Sequence, residues 1–137
     1  MKYITDIHAL NLPCLLGTTG DWHASALQWN SPRMLESDCS PFGDWGIEID
    51  REVPPLGHGK FAVANHIRAL LDMIVLGRFT VAQGMNGVFL DTDEYDDVIF
   101  DKVFVLSALP TWNNIDHFMT REYKMKWVRY KQARAQQ

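Results

Sequence analysis

A change of pattern near residue 60 constrains this chain more than any other feature. Up to that point the apolar stretches are short and interrupted by Gly, Pro, Asn and Ser, as in "NLPC", "NSP" and "REVPPLGHGK". Beyond it they lengthen and recur at spacings of three and four. Neither half can comfortably bury a core by itself, so the 137 residues are expected to form one domain, strand-rich over 1–60 and helix-rich over 61–137. Strands gathered in one part and helices in the other predict an α+β fold, a small, mostly antiparallel sheet packed with about three helices.

In the first part, 3–10 reads as a strand with Tyr3, Thr5 and Ile7 on one face and Ile4, Asp6 and His8 on the other. A second candidate covers 23–29, and a third covers 45–50. The third alternates most cleanly: Trp45, Ile47 and Ile49 point one way, Glu48 and Asp50 the other, as a half-covered sheet requires. Gly-Asp-Trp precedes two of these stretches, at 20–22 and 43–45, which is ordinary turn chemistry: Gly supplies a positive φ and Asp bonds a nearby backbone N–H.

In the second part, "FAVANHIRALLDMIVLG" predicts one helix over 61–77. Val63, Ile67, Leu70, Leu71 and Ile74 form its buried stripe, Asn65, Arg68 and Asp72 share the opposite side, and Gly77 stops it. "FTVAQGMNG" connects, with a short helical turn near 81–83. Asp91 and Glu94 have capping-box spacing ahead of a helix over 93–106, with a strand at 102–106 as the rival reading of "VFVL". After Pro110, Thr111 can cap a long C-terminal helix whose stripe is Trp112, Ile115, Met119, Tyr123, Trp127 and Tyr130.

The formal charge of −4 argues against a chain whose main task is coating nucleic acid or an anionic membrane. The charges are uneven, however. Asp91, Asp93, Glu94, Asp96, Asp97 and Asp101 make an acidic run, and Arg121, Lys124, Lys126, Arg129, Lys131 and Arg134 load the C-terminus without forming one basic face. Nucleic-acid binding is therefore unsupported. Cys14 and Cys39 have no zinc or disulfide-framework spacing, which suits reduced thiols in a cytoplasmic protein. No stretch has the roughly 20 apolar residues that span a bilayer.

Three chemistries deserve weighing. Asp21, His23, Asp44 and Glu48 could meet across adjacent strands as a metal-assisted hydrolase or transferase, although no tight metal signature is present. Ser25 near His23, or Cys14 near His8, could be a nucleophile, but neither lies in a recognisable elbow. "GHGK" at 57–60 lacks phosphate-loop spacing, and His66, at the edge of the helical stripe, is expected to be a packed, hydrogen-bonded histidine. The balance leans away from an enzyme, with no cofactor or metal expected.

Taken together, "ITDIHALNLPC", "GDWHASALQW", "FGDWGIE", "VANHIRALLDM", "VAQGMN" and "REYKMKWV" resemble, over essentially the whole chain, a family of small bacterial mobile-element proteins. That family accompanies nucleotidyltransferase toxins of the abortive-infection kind, so the resemblance implies an antitoxin or accessory partner that restrains a co-encoded toxin. It carries no assigned catalytic residues. A mobile-element or phage inhibitor of a host defence system is the alternative with the same binding logic. Aromatics and arginine anchor interfaces, so Trp29, Trp45, Trp112, Trp127 and Arg129 are the candidate contacts, with core packing expected for at least half.

Overall fold

The computed structural model describes residues 1–21 and 27–136. Strands β1 (Lys2–Ile4), β2 (Met34–Glu36), β3 (Ile47–Arg51) and β4 (Phe61–Ala64) form a sheet in the order β2-β1-β4-β3. Helices α1 (Asp6–Leu10), α2 (His66–Val75), α3 (Phe79–Ala82), α4 (Asp96–Phe104), α5 (Trp112–Tyr123) and α6 (Met125–Ala135) accompany it, with short 3-10 turns over Ser37–Cys39, Pro54–Leu56 and Val105–Ala108 and a π-helical turn over Met85–Leu90. The fold is α+β. Its sheet is mixed: β1–β2 and β3–β4 are antiparallel, while β1 and β4 run parallel through Ile4 and Val63. The helical segments exceed the expected three. No helix among the described residues is long and apolar enough to cross a membrane.

The expected strand over 3–10 stops at Ile4. Asp6 takes φ 64°, a left-handed conformation that ends extended structure, and α1 follows at once. The carboxylate that accompanies this turn is buried and held by Arg78, whose Nε and Nη2 donate at 2.7 and 2.9 Å. The expected strand over 23–29 lies mostly outside the described residues, and 27–29 form no strand. The third strand is present as β3, but on the sheet edge its expected faces do not hold. Ile49 is 63% exposed, whereas the Glu48 side chain, 9% exposed, bonds Arg51 and the N–H of Leu15.

The helix predicted over 61–77 divides in two. Residues 61–64 are paired as β4 between β1 and β3, and Asn65 turns the chain, its Oδ1 accepting from Arg68 N at 2.8 Å as an N-cap. Gly77, at φ 74°, ends α2 as expected: Gly77 N bonds Ile74 O, and Arg78 N bonds Met73 O, the paired reverse bonds of a Schellman cap. Ile67, Leu70, Leu71 and Ile74 form the buried stripe as read, Val63 is buried in β4 instead, and the opposite side of α2 is buried too. Arg68 and Asp72 are buried, because β1 and the 43–45 turn cover that side. Arg68 Nε donates to Asp72 Oδ1 at 3.1 Å, and Tyr3 Oη and Thr5 Oγ1 each donate to Asp72 Oδ2 at 2.7 Å. Arg68 Nη1 donates to the carbonyls of Gly43 and Trp45, the former at 2.8 Å. Gly46 allows this approach: a Cβ there would lie 2.8 Å from Arg68 Cβ.

Of the later helices α4 packs against α2 and α6 packs against α5; Ile99 and Val103 of α4, Ile115 and Met119 of α5, and Trp127 of α6 are all buried in the same core. Residues 102–104 are helical, so the strand reading is set aside; the Asp91–Glu94 capping box does not form, since α4 begins only at Asp96 and Asp91 is left-handed at φ 52°. The single C-terminal helix is instead a pair broken at Lys124 (φ 55°, ψ −129°). Trp127 Nε1 consequently reaches Asp116 Oδ1 at 2.8 Å, although residues 11 apart in an unbroken helix would be separated by about 16 Å of rise. Acidic run and basic tail meet within the molecule: Lys126 with Asp96 at 3.1 Å, Arg134 with Asp101 at 3.8 Å, and Tyr130 Oη donating to Asp101 at 2.6 Å.

Candidate functional site

The chain from Leu12 to Gly20 crosses the N-terminal end of α2 and brings together side chains that are remote in sequence. His66, the first residue of α2, is buried; its Nε2 lies 2.6 Å from Leu12 O and its Nδ1 2.6 Å from Thr18 Oγ1. Cys14 Sγ lies 3.5 Å from the same Thr18 oxygen. Gly20 closes the loop at φ 69°, a position only glycine fits, because a Cβ would sit 2.4 Å from Leu10 O and 2.7 Å from His66 Cε1. His66 is thus the packed histidine the sequence suggested. Cys14 is linked to it through Thr18, whereas His8 pairs with Gln28 O at 2.7 Å and with the Trp29 ring.

Electrostatics follow the geometry. Burial works to raise the Cys14 thiol, but the neighbouring imidazole and Thr18 outweigh it and hold the thiol lowered to about 7. Burial works to lower His66, yet Cys14, the Leu12 carbonyl and Glu48 together raise it. These opposite displacements favour charge separation between the two groups.

The same loop borders a groove. Asn11, Leu12, Pro13, Trp29, Arg51, Glu52, Pro54 and Pro55 line a concavity of about 500 Å³. Arg51 Nη2 donates to Pro13 O at 2.6 Å and its Nη1 pairs with Glu48, tying the loop to β3. Beside the groove, Leu15 is 88% exposed, and its N–H donates to Glu48 Oε2 at 2.8 Å, next to exposed Ile49.

Of the four acid–base candidates, the structure gives Glu48 a fixed role in that tie. Asp21 N donates to Leu10 O at 2.8 Å and its Oδ2 accepts from Asn11 at 3.3 Å; Asp44 is exposed in the turn before β3, and His23 lies outside the described residues. Among the described residues, no group of three or more His, Cys, Asp or Glu is placed to share a metal ion. Both Gly-Asp turns have the expected positive φ, 69° at Gly20 and 56° at Gly43.

The five aromatic and arginine candidates are dispersed. Trp29 lines the groove, half-buried. Trp45 is half-buried with the Lys102 ammonium 4.7 Å from its ring centroid. Arg129 is exposed beside a concavity with Phe100 and Tyr130. Trp112 is half-buried and packs on Phe104 and Trp127, while Trp127 itself is 0% exposed and cannot reach a partner. The sequence offered no signal for the association of Cys14 with His66, since Thr18 and His66 are 48 residues apart and their meeting depends on the Leu12–Gly20 crossing. In comparisons with known proteins, no family model matches the chain, and no curated protein or solved structure is significantly similar to it.

Proposed function

We propose that this protein is a binding module that restrains a co-encoded toxin of the nucleotidyltransferase kind, docking it through the groove between the Leu12–Leu16 loop and β3. The observation that carries the docking face is its composition: one half-buried tryptophan, prolines and Leu12 within a groove, Arg51 at the edge, and Leu15 and Ile49 exposed on the loop and the strand that border it. Interfaces combine such an apolar centre with an arginine-bearing rim. β3 is also an edge strand, so one side of its backbone lies outside the sheet pairing. The toxin identity rests on the family resemblance of the sequence segments, and the groove supplies a surface suited to it.

The test is titration of the purified toxin's nucleotidyl transfer with increasing amounts of this protein. Stoichiometric inhibition is expected, and the Leu15→Glu/Ile49→Glu variant should weaken it by about 30-fold, corresponding to roughly 2 kcal/mol at an interface hot spot. Because both side chains are exposed, the variant should fold normally by circular dichroism. Toxin activity that persists at saturating protein would overturn the function; equal inhibition by wild type and variant would overturn the docking face.

A further inference from the structure

We propose that Cys14 is the nucleophile of a thiol–hydroxyl–imidazole relay, Cys14–Thr18–His66, and is a site of covalent modification by carbon electrophiles that carry a leaving group. The inference is independent of the docking reading, since it concerns the isolated chain.

The direction of the relay follows from what each atom can do. Leu12 O can only accept, so the 2.6 Å contact places a proton on His66 Nε2. In the neutral imidazole, Nδ1 is then a bare acceptor, and the hydroxyl 2.6 Å away must donate to it. With its hydrogen committed, Thr18 Oγ1 is left as an acceptor for the Cys14 thiol at 3.5 Å. The hydrogen bonds therefore run one way, from thiol to hydroxyl to imidazole. This is the arrangement of a nucleophile, a base and a group that orients the base, with the backbone carbonyl of Leu12 as the orienter.

The surroundings accommodate charge separation. Glu48, anchored on the N–H of Leu15, contributes to holding the proton on His66, and the Arg51 guanidinium beside Pro13 compensates that carboxylate. Tyr95 Oη donates to Leu16 O at 3.2 Å, fixing the far end of the loop without reaching the thiol. Cys14 is half-buried and both cysteines are free. Neither pairs in a disulfide, so displacement by a single thiol fits the structure better than a dithiol exchange.

In the step itself, the Cys14 sulfur forms a bond to the electrophilic carbon as the bond to the leaving group breaks, and the leaving group departs with that electron pair. The thiol proton passes to Thr18 Oγ1 as the hydroxyl proton passes to His66 Nδ1, and the imidazolium then releases it to solvent. With iodoacetamide the products are a carboxamidomethyl thioether, iodide and one proton.

The experiment measures iodoacetamide alkylation of the full chain from pH 5.5 to 9, quantifying Cys14 and Cys39 separately by peptide mass spectrometry. The Cys14 rate should reach half its plateau near pH 7. In Thr18→Val and His66→Gln that midpoint should climb toward the ordinary thiol value of about 8.5, with Thr18→Ser restoring the wild-type profile. Cys39 in the same samples should be unaffected by these substitutions. Thr18 is only half-buried, so its variants decide the question should His66→Gln fail to fold. A Cys14 midpoint unchanged by Thr18→Val, or a Cys14 that is unreactive in the folded chain, would overturn the relay.

Discussion

Removing the Asp72 carboxylate tests how α2 is bound to the sheet. Asp72 is 3% exposed and accepts three hydrogen bonds, from Arg68 Nε, Tyr3 Oη and Thr5 Oγ1. Arg68, at 0% exposure, has no water to replace its anion. Asp72→Ala would leave that guanidinium uncompensated and two buried hydroxyls without their acceptor. Breaking a buried pair from one side costs about 3–5 kcal/mol, a large share of the roughly 5–15 kcal/mol that stabilises a typical domain. The orphaned hydroxyls belong to the same network, so their separate costs should not be added to this figure.

A double-mutant cycle with Tyr3→Phe makes the reasoning specific. Alone, Tyr3→Phe removes one neutral donor and should cost about 1 kcal/mol, and more if Arg68 Nη2, 3.0 Å from that oxygen, loses a needed acceptor. After Asp72→Ala the hydroxyl has lost its carboxylate partner and keeps only the bond it accepts from Arg68, so the same change should cost about 1 kcal/mol less, which is the coupling. Urea unfolding followed by tryptophan fluorescence gives each free energy, provided that all four proteins share one m value. Additivity within about 0.3 kcal/mol, or an Asp72→Ala loss below about 1 kcal/mol, would refute the network as the main tie between α2 and β1.

Lys124→Gly should stabilise the chain by about 1 kcal/mol in urea unfolding, since a lysine at φ 55°, ψ −129° stores strain that glycine does not and the gain exceeds the extra entropy of the unfolded glycine. At Asp116, burial works to raise the carboxyl, but Lys131 at 2.7 Å and the Trp127 indole outweigh it and depress it below its usual value of 3.8. A depressed carboxyl contributes stability that is fully present above the unfolded value and lost as pH falls through the folded one. Asp116→Asn should therefore cost no more than about 1 kcal/mol at pH 7, the scale of a solvent-screened pair, and progressively less below pH 4, read from the difference in urea midpoints between the two proteins.

Where a local signal decides the structure, it was legible in the sequence: the stripe of α2, its stop at Gly77 and the extended stretch that became β3 all depend on neighbours within a few residues. Three features that spacing does not reveal share another origin. The strand over 3–10 fails at Asp6, whose left-handed turn is accompanied by a bidentate bond from Arg78, 72 residues away. On the side of α2 opposite its stripe, Arg68 and Asp72 pair at i,i+4 as their spacing suggests, but that spacing is the same whether water or β1 covers the pair. The C-terminal stripe continues through Lys124 without a change of period, yet Asp116 gathers Trp127 and Lys131 across the break. In each case a charged residue is a long-range connector, and its partner cannot be inferred from spacing. Cys14 and His66 belong to the same class. Their alignment requires the 12–20 loop to be closed by Gly20, and that loop is in turn tied to β3 through Glu48 and Arg51. The candidate site is therefore a product of tertiary closure, and loosening the tie at β3 should disturb the thiol even though neither Glu48 nor Arg51 is hydrogen-bonded to it.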